Sequence, residues 1–225
     1  MMPMLPVGRG LHLLPRERLI KTNPLDQGEW IYRPVLGEVE RMRFVGVASI
    51  LRASPRAGRL LEVGYGSGIF LPELSRYCDH LYGLDIHCSA AAVASQLACV
   101  GVNALLATGD ACALPYRDGS FDTVVAVSAF EFMPDVLKAA HEIMRVLKPD
   151  GVAIIVTPEN SALLDLGLKI LTGERAEDTF KGRREQVVPA LRAAGDVMVE
   201  LRLPRMFGRL LSVFRVLAVR RRIPD

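Results

Sequence analysis

The chain has 225 residues, half of them hydrophobic, a mean hydropathy of +0.24, and 28 Lys and Arg against 25 Asp and Glu, for a formal charge of +3 and a pI near 8.8. That length suits one sizeable α/β domain better than two, and the weak basic excess, carried largely by arginines near the two ends, argues against a nucleic-acid partner. Cys78, Cys88, Cys99 and Cys112 show neither C-x-x-C pairing nor histidines at zinc spacing, which points to reduced buried thiols and to no metal site.

Residues 1 to 28 are broken by Pro3, Pro6, Gly8, Gly10, Pro15, Pro24 and Gly28 and read as an irregular arm. Its apolar start, Met1 to Val7, has no basic leader, long apolar core or small-residue cleavage site, so a cytoplasmic location is the expectation. Arg9, Arg16, Arg18 and Lys21 are either solvated or in touch with an anionic surface. Trp30 and Tyr32 are either part of a lid or local core. We divide the chain into an arm or lid, residues 1–36, and one domain, residues 37–225.

Val39, Met42, Val45, Val47 and Ile50 recur at helical spacing, which predicts a helix over Glu38 to Leu51. Short apolar runs then alternate with amphipathic ones. Strands are predicted at Arg59 to Val63, His80 to Leu84, Asn103 to Ala107, Phe121 to Val127 and Val152 to Val156, with helices between them. Cys88 through Gly109 has no charged residue, but Ser89, Ser95, Gln96, Gly101 and Asn103 make it too polar to span a membrane, and a buried helix followed by a short strand is expected. The helix Pro134 to Leu147 should stop at Lys148-Pro149-Asp150-Gly151. Beyond Thr157-Pro158-Glu159-Asn160 we expect a helix over Leu163 to Leu171, a polar stretch around Gly173 to Asp178, a helix over Arg184 to Ala194, and two strands, Val197 to Leu203 and Ser212 to Arg220, paired as an antiparallel hairpin at the sheet edge. The fold class is therefore α/β: a Rossmann-like, doubly wound, mostly parallel seven-stranded sheet with a C-terminal antiparallel hairpin, and with ligands at the carboxyl ends of its strands.

The stretch Leu60-Leu61-Glu62-Val63-Gly64-Tyr65-Gly66-Ser67-Gly68 reads as a buried strand turning sharply into a helix. Its glycines allow positive φ and close approach of a ligand to the backbone. A dinucleotide fingerprint starting at Gly64 needs glycine at position 69, where Ile69 stands, and this disfavours a nicotinamide-dependent oxidoreductase. The next strand ends in Leu84-Asp85, about twenty residues on, where a carboxylate can accept from both ribose hydroxyls. Asp110, after the third strand, either accepts from an adenine amino group or closes an Asx turn.

Together, LLEVGYGSG, LYGLD, GDACALPYRDGSFDTVVA and EIMRVLKPDGVAIIV, in that order over about residues 58 to 158, resemble the class I S-adenosylmethionine-dependent methyltransferases, type 11 or UbiE-like subgroup. The resemblance implies S-adenosyl-L-methionine as cofactor. It also implies that Gly64, Gly66 and Gly68 wrap its methionine part, with Glu62 at the acidic position before them. By the same match Asp85 binds the ribose, Ile86 lies beside the adenine, Asp110 and Ala111 stand at the adenine edge, and Ser128 lines the cofactor near its sulfonium. Tyr65 replaces the usual small residue or Cys, Asp150 replaces a Gly, and Phe130-Glu131-Phe132-Met133 replaces the frequent Leu-Glu-His-Val, so no histidine base is inherited there.

If the acceptor is a hydroxyl or an acidic carbon, Glu131 is the candidate base by position; its other reading is a solvated or capping carboxylate. His141 reads as a surface or packing residue, and His87 as a loop residue that could border the adenine. The end of the fourth strand lacks Asn-Pro-Pro-Tyr, which lowers the case for an adenine or amide nitrogen acceptor. Phe130, Phe132 and Met133 favour an apolar or aromatic small-molecule acceptor. A catalytically silent relative acting as a regulatory or partner subunit is the alternative function; no transmembrane segment is expected, and oligomeric state is not predicted.

Overall fold

The computed structural model describes residues 6–7, 10–23, 28–159, 182–204 and 212–222. The helix expected at 163–171, the polar stretch 173–178 and most of the loop 204–211 lie outside them. Strands β3 (Ala57–Val63), β4 (Cys78–Asp85), β5 (Ala104–Thr108), β6 (Phe121–Val127), β7 (Leu147–Pro158), β8 (Gly195–Leu203) and β9 (Phe214–Arg221) form one seven-stranded sheet in the order β5-β4-β3-β6-β7-β9-β8. β3 to β7 pair in parallel, whereas β9 runs antiparallel to both β7 and β8. The hairpin thus sits at the sheet edge with β8 outermost. Strands buried on both faces need no polar alternation, and Val124, Val125, Ala126 and Ala153 to Val156 are all fully buried.

Helices cover both faces. On one lie α1 (Pro34–Arg52), α2 (Leu71–Leu74) and α3 (Ala90–Ala98); on the other lie α4 (Val136–Val146) and α5 (Arg183–Ala194). In α1, Phe44, Val47, Ala48 and Leu51 form one buried stripe. A Cβ on Gly46 of that stripe would come within 2.8 Å of Leu203 and Val216, so glycine lets the helix seat closely on the sheet. Phe44 also stacks on Phe70, ring centroids 4.3 Å apart, tying α1 to the loop after β3. α4 is capped by Asp135, whose carboxylate accepts from Lys138 N at 2.9 Å.

Several elements differ from expectation. α1 begins at Pro34, four residues early, because proline suits a first helical turn. The helix after the glycine loop is only the four residues Leu71–Leu74, followed by a 3-10 turn at Ser75–Tyr77 that leads directly into β4. The arm is not wholly irregular: β1 (Pro6–Val7) pairs antiparallel with β2 (Leu11–His12). Leu11, Leu13 and Leu14 are buried in the core cluster that contains Ile69 to Leu71. Tyr32 donates its hydroxyl to Leu14 O and so belongs to the local core, and Trp30 lies beneath the Arg33 guanidinium, 5.6 Å from its ring centroid. Of the four free cysteines only Cys78 and Cys112 are buried; Cys88 and Cys99, at the two ends of α3, face solvent. Among the described residues no helix is long and apolar enough to cross a membrane.

Candidate functional site

The carboxyl ends of β3, β4, β5 and β6 lie side by side, and the loops leaving them are stitched together. Gly64 N donates to Leu84 O at 2.8 Å and Gly109 N to Asp85 O at 2.9 Å. Gly64, Gly66 and Gly68 all have positive φ, 77°, 52° and 74°. A Cβ on Gly64 would meet Ala129 at 2.5 Å and one on Gly68 would meet Val93 at 2.7 Å, whereas on Gly66 it would meet nothing within 4 Å. The outer glycines are fixed by packing, and the middle one presents open backbone. Asp85 reaches it directly: its Oδ2 accepts from Gly66 N at 2.8 Å. A carboxylate has about four acceptor positions, so Asp85 keeps capacity for hydroxyl donors.

Asp110 is exposed, with Oδ1 accepting from Cys112 N at 2.8 Å, the Asx-turn arrangement, and Ala111 beside it is buried. Ile86 is 73% exposed at the rim. Ser128, just past β6, has φ 51°, the positive-φ non-glycine residue of the described backbone. That conformation costs on the order of 1–2 kcal/mol and is held by Ser128 N donating to Val156 O at 2.9 Å. Strain retained at a strand tip makes this turn a candidate part of the site. The Ser128 hydroxyl is buried with no hydrogen-bond partner among the described residues, and the same is true of Glu62 Oε2 and of both carboxylate oxygens of Glu131.

Glu131 is 1% exposed, which overturns the solvated reading, and among the described residues its carboxylate caps no helix, the cap of α4 being Asp135. It stands in a 3-10 turn, Phe130–Phe132, and its carbonyl accepts from Arg183 Nε of α5 at 3.0 Å. Burial pushes its carboxyl up to about 7, against the opposing pull of the Arg184 and Arg43 charges. Burial likewise raises Glu62 well above the ordinary range, reinforced by the negative charge of Asp85. Arg43 reaches this region from α1, a helix outside the motifs, and so sequence spacing gave no sign of it. His87, read from the sequence as a loop residue that could border the adenine, is 8% exposed and bonded to the glycine loop, a contact the sequence reading did not foresee. Its position two residues beyond Asp85 was the available signal. His141 is exposed on α4, away from these groups.

A glycine loop, a strand-end carboxylate bonded to it and a strained fourth-strand tip thus meet at the carboxyl ends of a doubly wound sheet, where such folds take ligands. Residues 61–155 match the family model described as a methyltransferase domain. The 2-methyl-6-phytyl-1,4-hydroquinone methyltransferase of Synechocystis is 36% identical over 102 residues, 45% of this chain and 32% of that protein. The demethylmenaquinone methyltransferase of Roseiflexus castenholzii is 31% identical over 102 residues, 45% of this chain and 43% of that protein. The chain thus spans less than half the length of these relatives. The N-methyltransferase NodS of Bradyrhizobium japonicum, solved with S-adenosyl-L-homocysteine, shares the fold at a TM-score of 0.61 and 17% identity, over 82% of this chain and 88% of that one. Over residues 61–155 the chain is thus similar to type 11 methyltransferase domains, a resemblance that implies S-adenosylmethionine as cofactor.

The residues present fit that cofactor. Gly66 offers open backbone, Asp85 retains acceptor positions, and Glu62 Oε2 and the Ser128 hydroxyl are buried polar atoms without partners among the described residues, which a polar ligand would satisfy.

Proposed function

We propose that the chain transfers a methyl group from S-adenosylmethionine to a small apolar or aromatic acceptor with an ionisable hydroxyl or acidic carbon. The observation that carries this reading is the bond between Asp85 and Gly66, which joins the ribose carboxylate to the open glycine of the loop. Gly64 to Gly68 would hold the amino-acid tail, with Glu62 behind them. Asp85 would take the ribose hydroxyls, Ile86, Asp110 and Ala111 the adenine, and Ser128 the sulfur end. When bound, the cofactor supplies a methyl group already activated on a sulfonium with a neutral leaving group.

What remains for the chain is to align the acceptor, exclude water and take a proton. Alignment alone contributes on the order of 7–11 kcal/mol in favourable cases. On this reading Glu131, whose carboxyl burial pushes up to about 7 beside Phe130, Phe132 and Met133, takes a proton from a ring hydroxyl as the oxygen or ring carbon is methylated. Two relatives, one named for a phytyl hydroquinone and one for demethylmenaquinone, support the acceptor class. The test is incubation with methyl-labelled S-adenosylmethionine and a panel of hydroquinones and simple phenols. Label should move into the organic phase for some members; cofactor binding with no labelled product from any acceptor would point instead to the silent partner subunit.

A further inference from the structure

His87 uses both ring nitrogens. Nδ1 accepts the Ser89 N–H at 3.1 Å, and Nε2 lies 2.9 Å from Gly66 O. An N–H accepted at Nδ1 leaves the proton on Nε2, so the neutral Nε2–H tautomer satisfies both contacts and donates to the Gly66 carbonyl. The backbone of His87 is itself fixed: its N–H lies 3.3 Å from Asp85 Oδ1, and its carbonyl accepts from Thr108 Oγ1 at 2.9 Å. Tyr65 meets the imidazole edge-on with centroids 5.0 Å apart. It occupies space that Gly83 leaves, since a Cβ there would lie 2.8 Å from the Tyr65 ring.

Gly66 is therefore gripped at both polar groups, its N–H by Asp85 and its carbonyl by His87. A trans peptide is planar, with the carbonyl and the following N–H pointing in opposite directions, so fixing Gly66 O also fixes the direction of the Ser67 N–H. The geometry points to His87 as a positioning residue for the cofactor: acting through the Gly66 peptide, it holds the loop in its receiving conformation before binding. Preorganisation of this kind removes an ordering cost that binding would otherwise meet. The inference rests on the reading of Gly64 to Gly68 as the S-adenosylmethionine loop.

Two substitutions separate the two nitrogens. Asn places an oxygen near the Nδ1 position and keeps an acceptor for Ser89 N–H, but loses the donor to Gly66. Gln extends an amide N–H toward the Nε2 position and keeps that donor. Calorimetric titration with S-adenosylhomocysteine should show His87→Asn binding about five- to tenfold more weakly, the loss of one ordinary hydrogen bond. His87→Gln should bind within about twofold of wild type on the same argument, with the ligand-free unfolding midpoints of both variants close to wild type. Wild-type affinity in His87→Asn overturns the proposal, as does an equal loss in both variants, which would place the role at Ser89 or in packing. Absence of binding by the wild-type protein overturns the cofactor reading and this proposal with it.

Discussion

Glu131 shows how one residue can be useful and destabilising at once. Its carboxyl is buried without a hydrogen-bond partner among the described residues and titrates at about 7. The folded state therefore holds this proton more tightly than the unfolded chain. The stability gained is fully present below the ordinary glutamate range and is lost as pH rises through 7, an effect of roughly 3 kcal/mol for a shift of this size. Glu131→Gln cannot ionise. Its unfolding midpoint should match wild type near pH 4 and exceed it by several degrees at pH 8; a constant difference across that range would show that the carboxyl does not titrate as described. Methyl transfer by the same variant should fall by a factor on the order of 10² or more. Wild-type transfer should rise with pH through about 7 as the carboxylate forms, and a flat profile would remove Glu131 as base. The position of this glutamate was legible in the sequence, but its burial was not, because that depends on Arg183 and Arg184 of α5, some fifty residues away and outside every motif.

At the scale of elements, the least expected feature is how the N-terminal arm is joined to the loop region. Glu73, fully buried in the four-residue α2, accepts from His12 N at 2.8 Å and from Tyr77 OH at 2.8 Å, and pairs with Arg76 at 3.1 Å. Leu14 N donates to Ile69 O at 3.0 Å, directly beyond the glycine loop. Glu73→Ala should lower stability by about 2–3 kcal/mol, the order expected when a buried backbone donor and a hydroxyl lose a charged acceptor. Amide exchange at His12 should quicken in parallel; unchanged exchange would mean that the apolar contacts of Leu11, Leu13 and Leu14 hold the arm alone. The arm could be read only as irregular, because proline and glycine mark turns without saying what the chain between them packs against. Strands were easier. β6 agrees with its expected bounds, and the others differ by a few residues at their ends, where hydrogen-bond registers rather than hydrophobicity set the limits. α2 is shorter than the pattern implied, since Ser75–Tyr77 tightens into a 3-10 turn to deliver Cys78 to β4.

For the whole molecule, alternation of apolar runs with amphipathic segments was enough to fix the doubly wound sheet, because parallel strands demand crossovers and crossovers take one hand. The proposed cofactor edge could be read as a cluster too, since Gly64, Gly66, Gly68, Asp85 and Asp110 lie in short motifs that one strand end or loop supplies. The acceptor side could not. On our proposal it is built around Glu131, where α5 and the Arg43 charge of α1 meet the Phe130–Phe132 turn through packing, and such surfaces vary freely on a common scaffold. The claim on which the rest depends is that the strand-end edge binds S-adenosylmethionine, and calorimetric titration of the full chain with S-adenosylhomocysteine tests it most directly. One site per chain is expected, with an Asp85→Ala variant that binds at least tenfold more weakly, since hydrogen bonds to a charged group contribute roughly 1.5–3 kcal/mol. No binding by the wild-type chain, or binding that Asp85→Ala leaves unchanged, would contradict it.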